Sequence, residues 1–465
     1  MIRFGLMYGV LAAIIIAGFR RWFLTLCALI VLTALHDHRY FKESIAGIGG
    51  LKPYNVLLAF AVLHWIQQRR AEGLHWDARP SMSLGIVAYV LIVIYGASYA
   101  FLDIESLRRA AGWDYSSLLV QEILNPLKMI LPAILLFDGC RSRNRMTSGM
   151  LSLAGLAFVT GAYIIKLIPV GSLADADSVL RYRHRIDRDL GLYPNDVVSI
   201  FVPGFWVALS MAWAMRSKLW RAVLLASAAA LALALLLTQS RTGMAAFVVV
   251  GLVVGLLRFR KFTLILLVAL PAVYFGLESL SANWSRGFAM RDATGVATDW
   301  NEVSNGRIEL WGWAWHDIMM APMLGQGRLF QLREPYGAVM LPAHPHNAYL
   351  DIWAQYGLLG LMVILMLFAG LLSIAWRVMK CGRDRLERAV GVSAFAAVLT
   401  NFVIAVAGHG FMPRVSSVIT FCTCALACRI YVALVAAARQ HGRVSQPARG
   451  RFVNVSGGPR PSLSR

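Results

Sequence analysis

Three short stretches hold the residues whose types and spacing could do chemistry: His344-Pro345-His346-Asn347, Ser240-Arg241-Thr242-Gly243 and Asn305-Gly306-Arg307-Ile308-Glu309. A histidine that is neutral near pH 7 accepts a proton and suits a general base. The competing reading is an interfacial histidine held by hydrogen bonds, and spacing by itself favours that one. Arginine carries a planar fork of donors that grips phosphate oxygens in pairs, and a helix N-terminus adds amide donors beside it. Arg307 falls near such an N-terminus, where an ion pair with Glu309 or another loop acid accounts for it equally well. Arg241 separates two apolar runs, and arginine at that depth is costly unless it faces a polar cavity or an anion.

The elements that must position these groups follow from composition. The chain has 465 residues, 58% of them hydrophobic and 15% charged, with a mean hydropathy of +0.62. That excludes an ordinary soluble surface. A helical span needs roughly 20 apolar residues, because backbone polar groups inside lipid must be satisfied within the segment. Such runs occur at 83–102, 119–137, 149–170, 198–215, 222–238, 243–257, 262–280, 348–375, 389–407 and 415–437, with weaker ones at 4–18, 22–35 and 51–66. The expectation is an all-α polytopic membrane protein of 12–13 transmembrane helices, with residues 1–437 forming a single domain. The first run follows Arg3 as in a signal peptide, but no small-x-small cleavage site is evident, so it reads as a retained helix. No internal repeat is visible. Cys422, Cys424 and Cys428 form a run inside a span with no His or carboxylate beside them, which reads as helix packing, and no disulfide is implied.

The formal net charge is +21, from 45 Lys+Arg against 24 Asp+Glu. In a soluble chain this would suggest a nucleic-acid partner. Here the excess lies in alternate connections: Arg69, Arg70 and Arg79; Arg141, Arg143 and Arg145; Arg216, Lys218 and Arg221; Arg258, Arg260 and Lys261; Arg377, Lys380, Arg383, Arg385 and Arg388. The positive-inside rule places these in the cytoplasm, together with a basic tail at 438–465 that is expected to be disordered. The opposite connections are nearly neutral, so no nucleic acid is implied. An isolated arginine there needs its own explanation.

Two of the outer connections, 171–197 and 281–347, are too long for simple turns. The first contains Arg181, Arg183 and Arg185, matched by Asp175, Asp177, Asp187, Asp189 and Asp196. It reads either as a self-neutralised solvated loop or as a source of one or two arginines for an anionic lipid headgroup. Asp175-Ala176-Asp177 has the form of a short metal motif, but three-residue motifs arise easily by chance and no metal is assigned. The second loop is rich in tryptophan and predicts a helix that starts with Asn305 as N-cap and ends at Pro322, with Trp311 and Trp315 on one face at the membrane interface.

Taken together, Ser240-Arg241 between two helices, Gly306-Arg307 with Trp311, Pro322 leading to Gly325-Gln326-Gly327, and His346-Asn347-x-x-Leu350 leading to Gly357-x-x-Gly360 resemble the O-antigen ligase and polymerase superfamily of bacterial envelopes. The resemblance implies a GT-C-like helical bundle in the inner membrane, with a large, partly helical periplasmic loop and a cytoplasmic C-terminus. It implies transfer of a glycan from an undecaprenyl-pyrophosphate carrier to an acceptor hydroxyl on the periplasmic side, with no cofactor and no required metal. By the same resemblance His346 is the catalytic residue, and Arg241 and Arg307 bind the donor pyrophosphate. His344, Asn347, Arg181, Arg183 and Arg185 are further candidate substrate contacts. Relatives often carry Glu where this chain has Gln355, so no carboxylate role is assigned there. A ligase acting on lipid A–core is slightly favoured over a polysaccharide polymerase or a protein O-oligosaccharyltransferase. A transporter of polysaccharide or lipid is the competing class, and it would predict broken helices with polar residues near mid-membrane.

Overall fold

The computed structural model describes residues 2–38, 41, 45, 50–73, 75–102, 104–105, 108, 112, 114–174, 182, 185–276, 306–327, 344–408 and 410–444. In chain order the helices are α1 (Ile2–Gly18), α2 (Trp22–Leu32), α3 (Pro53–Ala71), α4 (Pro80–Leu102), α5 (Tyr115–Gly139), α6 (Arg143–Leu167), α7 (Pro194–Ala214), α8 (Lys218–Thr238), α9 (Arg241–Arg258), α10 (Arg260–Gly276), α11 (Arg307–Met320), α12 (Ala348–Cys381), α13 (Arg385–Ile404) and α14 (Val418–Val444). Among the described residues nine of these, α4 to α9 and α12 to α14, are long and apolar enough to cross a membrane. The protein is an all-α polytopic membrane protein. The remaining apolar runs marked in the sequence are also helical, as α1, α2, α3 and α10, but they are shorter or more polar.

Local signals explain the boundaries. Ser142, Ser217, Ser240 and Asp384 each accept a hydrogen bond from a backbone N–H three residues on, capping α6, α8, α9 and α13. Pro53 and Pro194 open α3 and α7, where a missing N–H costs nothing. Helix α14 runs past the expected boundary at 437 to Val444, because Ala436-Ala437-Ala438-Arg439-Gln440 are strong helix formers with no stop signal. The rest of the basic tail lies outside the described residues.

Helix α7 is the most buried span and packs against α6, α8 and α13. The hydroxyls of Ser210 and Ser393 meet at 2.7 Å between α7 and α13, so these two buried groups satisfy each other. At one end of the bundle the arginine-rich connections come together. Asp138, fully buried, accepts from Trp65 Nε1 at 2.8 Å and Arg69 Nε at 2.9 Å and pairs with Arg141 at 3.2 Å. Asp77 bridges Arg141 and Arg429, and Glu72 receives two hydrogen bonds from Arg145 at 2.6 Å.

The opposite end is shaped by a break in α12. Gly357 has φ 68° and ψ −179°, which interrupts the helix. The turn at 321–327 takes up the freed groups: Leu358 N–H donates to the Pro322 carbonyl at 2.8 Å, while Gln326 and Gly327 donate to the carbonyls of Ala354 and Gln355 at 2.7 and 2.9 Å. A Cβ on Gly357 would lie 2.1 Å from the Met323 carbonyl oxygen, so only glycine fits. The Gly325-x-Gly327 and Gly357 motifs are thus two halves of one joint, which fixes α11 and its following turn against the start of α12.

Candidate active site

The stretch entering α12 is held by its own side chains. Asn347 Oδ1 accepts from the N–H groups of Tyr349 and Leu350 at 3.0 and 3.2 Å, making it the N-cap. His346 N–H donates to His344 Nδ1 at 2.8 Å. That bond leaves the proton of a neutral His344 ring on Nε2, which lies 3.2 Å from Asp351 Oδ2. Asp351 Oδ1 in turn accepts from Gln355 Nε2 at 2.7 Å. Gln355, Asp351 and His344 thus stand one behind another next to the backbone of His346, with the Asp351 carboxylate in close ion-pair contact with His344 Nε2.

His346 has φ 52°, and Gln239 has φ 48°; among the described residues these are the only non-glycine positions in the left-handed region. Such strain costs on the order of 1–3 kcal/mol and persists where surrounding structure imposes it. Both positions adjoin candidate chemistry. Gln239 ends α8 and leads directly into Ser240-Arg241, so two membrane helices are joined by a two-residue turn that presents Arg241. Ser240, buried, donates to Asn195 Oδ1 at 2.8 Å and ties this turn to the first residues of α7.

Helix α11 brings the third group. Its N-cap is Gly306 at φ 75°, whereas Asn305, the expected cap, lies outside the described residues. Trp311 Nε1 donates to the Pro345 carbonyl at 2.9 Å, fastening the helix that carries Arg307 to the histidine stretch. Trp353 Nε1 donates to the Pro322 carbonyl at 2.9 Å, and its ring meets Trp315 edge to face at 5.4 Å. Burial, reinforced by the nearby charge of Arg241, holds Arg307 below the ordinary guanidinium range. His346 is pushed below the usual histidine value first by partial burial of its ring, with nearby His344 and Arg307 adding to the shift and Asp351 pulling the other way. A neutral imidazole near Arg307, which is itself near Arg241, can accept a proton next to a bound anion.

Arg241, Arg307, His344 and His346 therefore converge from three separate segments. Asn347 is present but serves as a helix cap. Arg185 is exposed and stacks over Tyr182 at 4.8 Å, while Arg181 and Arg183 lie outside the described residues. Sequence reasoning missed Asp351, Asp196 and Arg414. Asp196, buried in the first turn of α7, lies within electrostatic reach of Arg414 and His344. Arg414 had a signal, being an isolated arginine in a connection with no acid. Asp351 and Asp196 had none, since an acid in the first turn of a helix is ordinary. Among the described residues no group of three His, Cys, Asp or Glu side chains is arranged to hold a metal, and Asp175 and Asp177 lie outside them.

Fold and site together define a multi-pass helical membrane protein with a cationic, histidine-bearing site at the end of the bundle away from its arginine-rich connections. Residues 226–365, which contain Arg241, Arg307, His344 and His346, match the family model described as O-antigen ligase. The match spans under a third of the chain and supports its place in the O-antigen ligase and polymerase superfamily. It supports an enzyme of ligase or polymerase type that takes a lipid-linked glycan and an acceptor. No curated protein matches the chain.

Proposed function

We propose that the protein is an O-antigen ligase-like glycosyltransferase of the bacterial inner membrane, working at its periplasmic face. The observation that carries this reading is the convergence of Arg241, Arg307 and His346 within the segment that matches the family. The donor is an undecaprenyl-pyrophosphate-linked glycan and the acceptor a hydroxyl of lipid A–core. His346 takes the proton of that hydroxyl as its oxygen bonds to the anomeric carbon. The bond from that carbon to the pyrophosphate oxygen breaks on the opposite face, with inversion. Undecaprenyl pyrophosphate leaves with the bonding electrons, and Arg241 and Arg307 stabilise the charge that gathers on its oxygens. Asp351 and His344 act as positioning residues that hold the strained backbone of His346. The reaction uses no cofactor or metal in this reading, and the arginine-rich connections and C-terminus face the cytoplasm.

A transporter would use a helix broken near mid-membrane. The break in α12 lies close to its N-terminal end and is filled by the main chain of 321–327 rather than by ionisable side chains, which favours a rigid joint. The test is reconstitution into vesicles with lipid-linked glycan and, in separate arms, lipid A–core, a second lipid-linked repeat unit, or an acceptor protein. Extension of lipid A–core, persisting in EDTA, is the expected result. Extension of the second repeat unit or of the protein alone would replace the ligase reading by the polymerase or protein-transfer reading, and movement of intact donor without transfer would replace both.

A further inference from the structure

We infer that the protein carries a binding site for an anionic phospholipid at its arginine-rich end, separate from the histidine site. A cavity of about 500 Å³ opens between α4, α5, α12 and α14, and its lining, which includes Trp76, Met82, Phe137, Leu367, Ile374 and Phe421, contains no charged side chain. That volume is in the range of ligand pockets, and its wall suits a hydrocarbon chain. Glycines make room for it: a Cβ at Gly370 would meet nothing within 4 Å.

The mouth of the cavity has the opposite character. Arg79, next to Ala78 and Ser81 of the lining, donates to Tyr431 Oη at 3.1 Å, and Arg377, one turn beyond Ile374, donates to the same oxygen at 3.2 Å. Both guanidiniums also lie near the Tyr431 ring, at 5.6 and 5.9 Å from its centroid. Neighbouring arginines at this end are neutralised, Arg141 and Arg429 by Asp77 and Arg145 by Glu72. Neither Arg79 nor Arg377 has a carboxylate partner among the described residues. Two cations gathered on one tyrosine repel each other unless an anion joins them, and a phosphate diester above an apolar slot supplies both the charge and the chain. Tyr431 holds the two guanidiniums at the headgroup level, and the chain lies along Gly85 and Gly370.

Native mass spectrometry of the full-length protein in micelles with equimolar phosphatidylglycerol and phosphatidylcholine tests this. The wild type is expected to retain phosphatidylglycerol preferentially. Arg79→Gln combined with Arg377→Gln should weaken retention on the order of thirtyfold, from the loss of two arginine–phosphate attractions. Gly370→Leu, which fills the cavity without touching the arginines, should also abolish it while leaving the melting temperature unchanged or raised. Should the double glutamine variant fail to fold, the glycine variant decides alone. Equal retention of the two lipids by the wild type, or undiminished phosphatidylglycerol in Gly370→Leu, would overturn the proposal. Displacement of phosphatidylglycerol by equimolar polyprenyl phosphate would overturn it in favour of a polyprenyl occupant.

Discussion

At the scale of single residues, the account rests on what each side chain is free to do. His344 Nδ1 accepts from the His346 backbone and its Nε2 lies against the Asp351 carboxylate, so that ring is tied to holding the stretch while the His346 ring is the candidate base. Because its surroundings lower the His346 pKa, the neutral base persists below the ordinary histidine value of 6.5 and protonates only in more acid solution. The acid limb of kcat/KM is therefore expected below pH 6.5. Asp351 opposes that shift, so Asp351→Asn should move the limb to still lower pH as well as slow transfer, whereas a purely structural role would leave the limb in place. Arg241→Lys keeps the charge and loses the planar fork. A loss of at least tenfold in kcat/KM is expected, measured in reconstituted vesicles, and unchanged transfer would argue against paired contact with phosphate. As candidates, His346, Arg241 and Arg307 stand out in the sequence because polar groups are conspicuous at the edges of apolar runs, while the roles proposed for them come from the family resemblance. Asp351 does not, because its role depends on the ring orientation of His344, which only the folded chain reveals.

At the scale of elements, placement depends on two tight junctions. The α8–α9 turn puts Gln239 in a strained conformation to present Arg241, and the joint between 321–327 and the break at Gly357 seats α11 beside α12. Gly357→Ala forces a Cβ against the Met323 carbonyl, so it should lower the melting temperature in detergent and impair transfer together; a variant with wild-type stability and rate would show that the joint is unimportant. Hydropathy located the helices well, since each apolar run became one. It did not reveal that the helix beginning at 348 is broken ten residues in, because Gly357-x-x-Gly360 inside an apolar run also fits close helix packing. The exchange of hydrogen bonds with residues 30 or so positions upstream is a long-range event with no local signature.

At the scale of the whole molecule, the charge of +21 has two uses. Alternation of basic connections reads as a topology signal. The structure adds that the acids at the same end, Glu72, Asp77, Asp138, Asp384 and Glu387, are each paired with arginine, and all but Glu387, whose partner is the nearby Arg383, join segments distant in sequence. Most of these pairs are partly solvated and contribute little individually. Asp138 differs, being fully buried between Arg69 and Arg141. Asp138→Ala leaves Arg69 without its carboxylate and Arg141 with Asp77 alone, and a destabilisation on the order of 3 kcal/mol is expected in detergent unfolding. A change within the range of an ordinary surface substitution would contradict a buried network at this end.

The central claim is that His346 is the base of a glycan transfer from a lipid pyrophosphate. The most direct measurement is the initial rate of transfer by His346→Ala in vesicles, alongside the wild type at matched insertion. The account expects a loss of at least about 10²–10⁴-fold with donor binding retained. Transfer at the wild-type rate by a folded, inserted His346→Ala protein would contradict it.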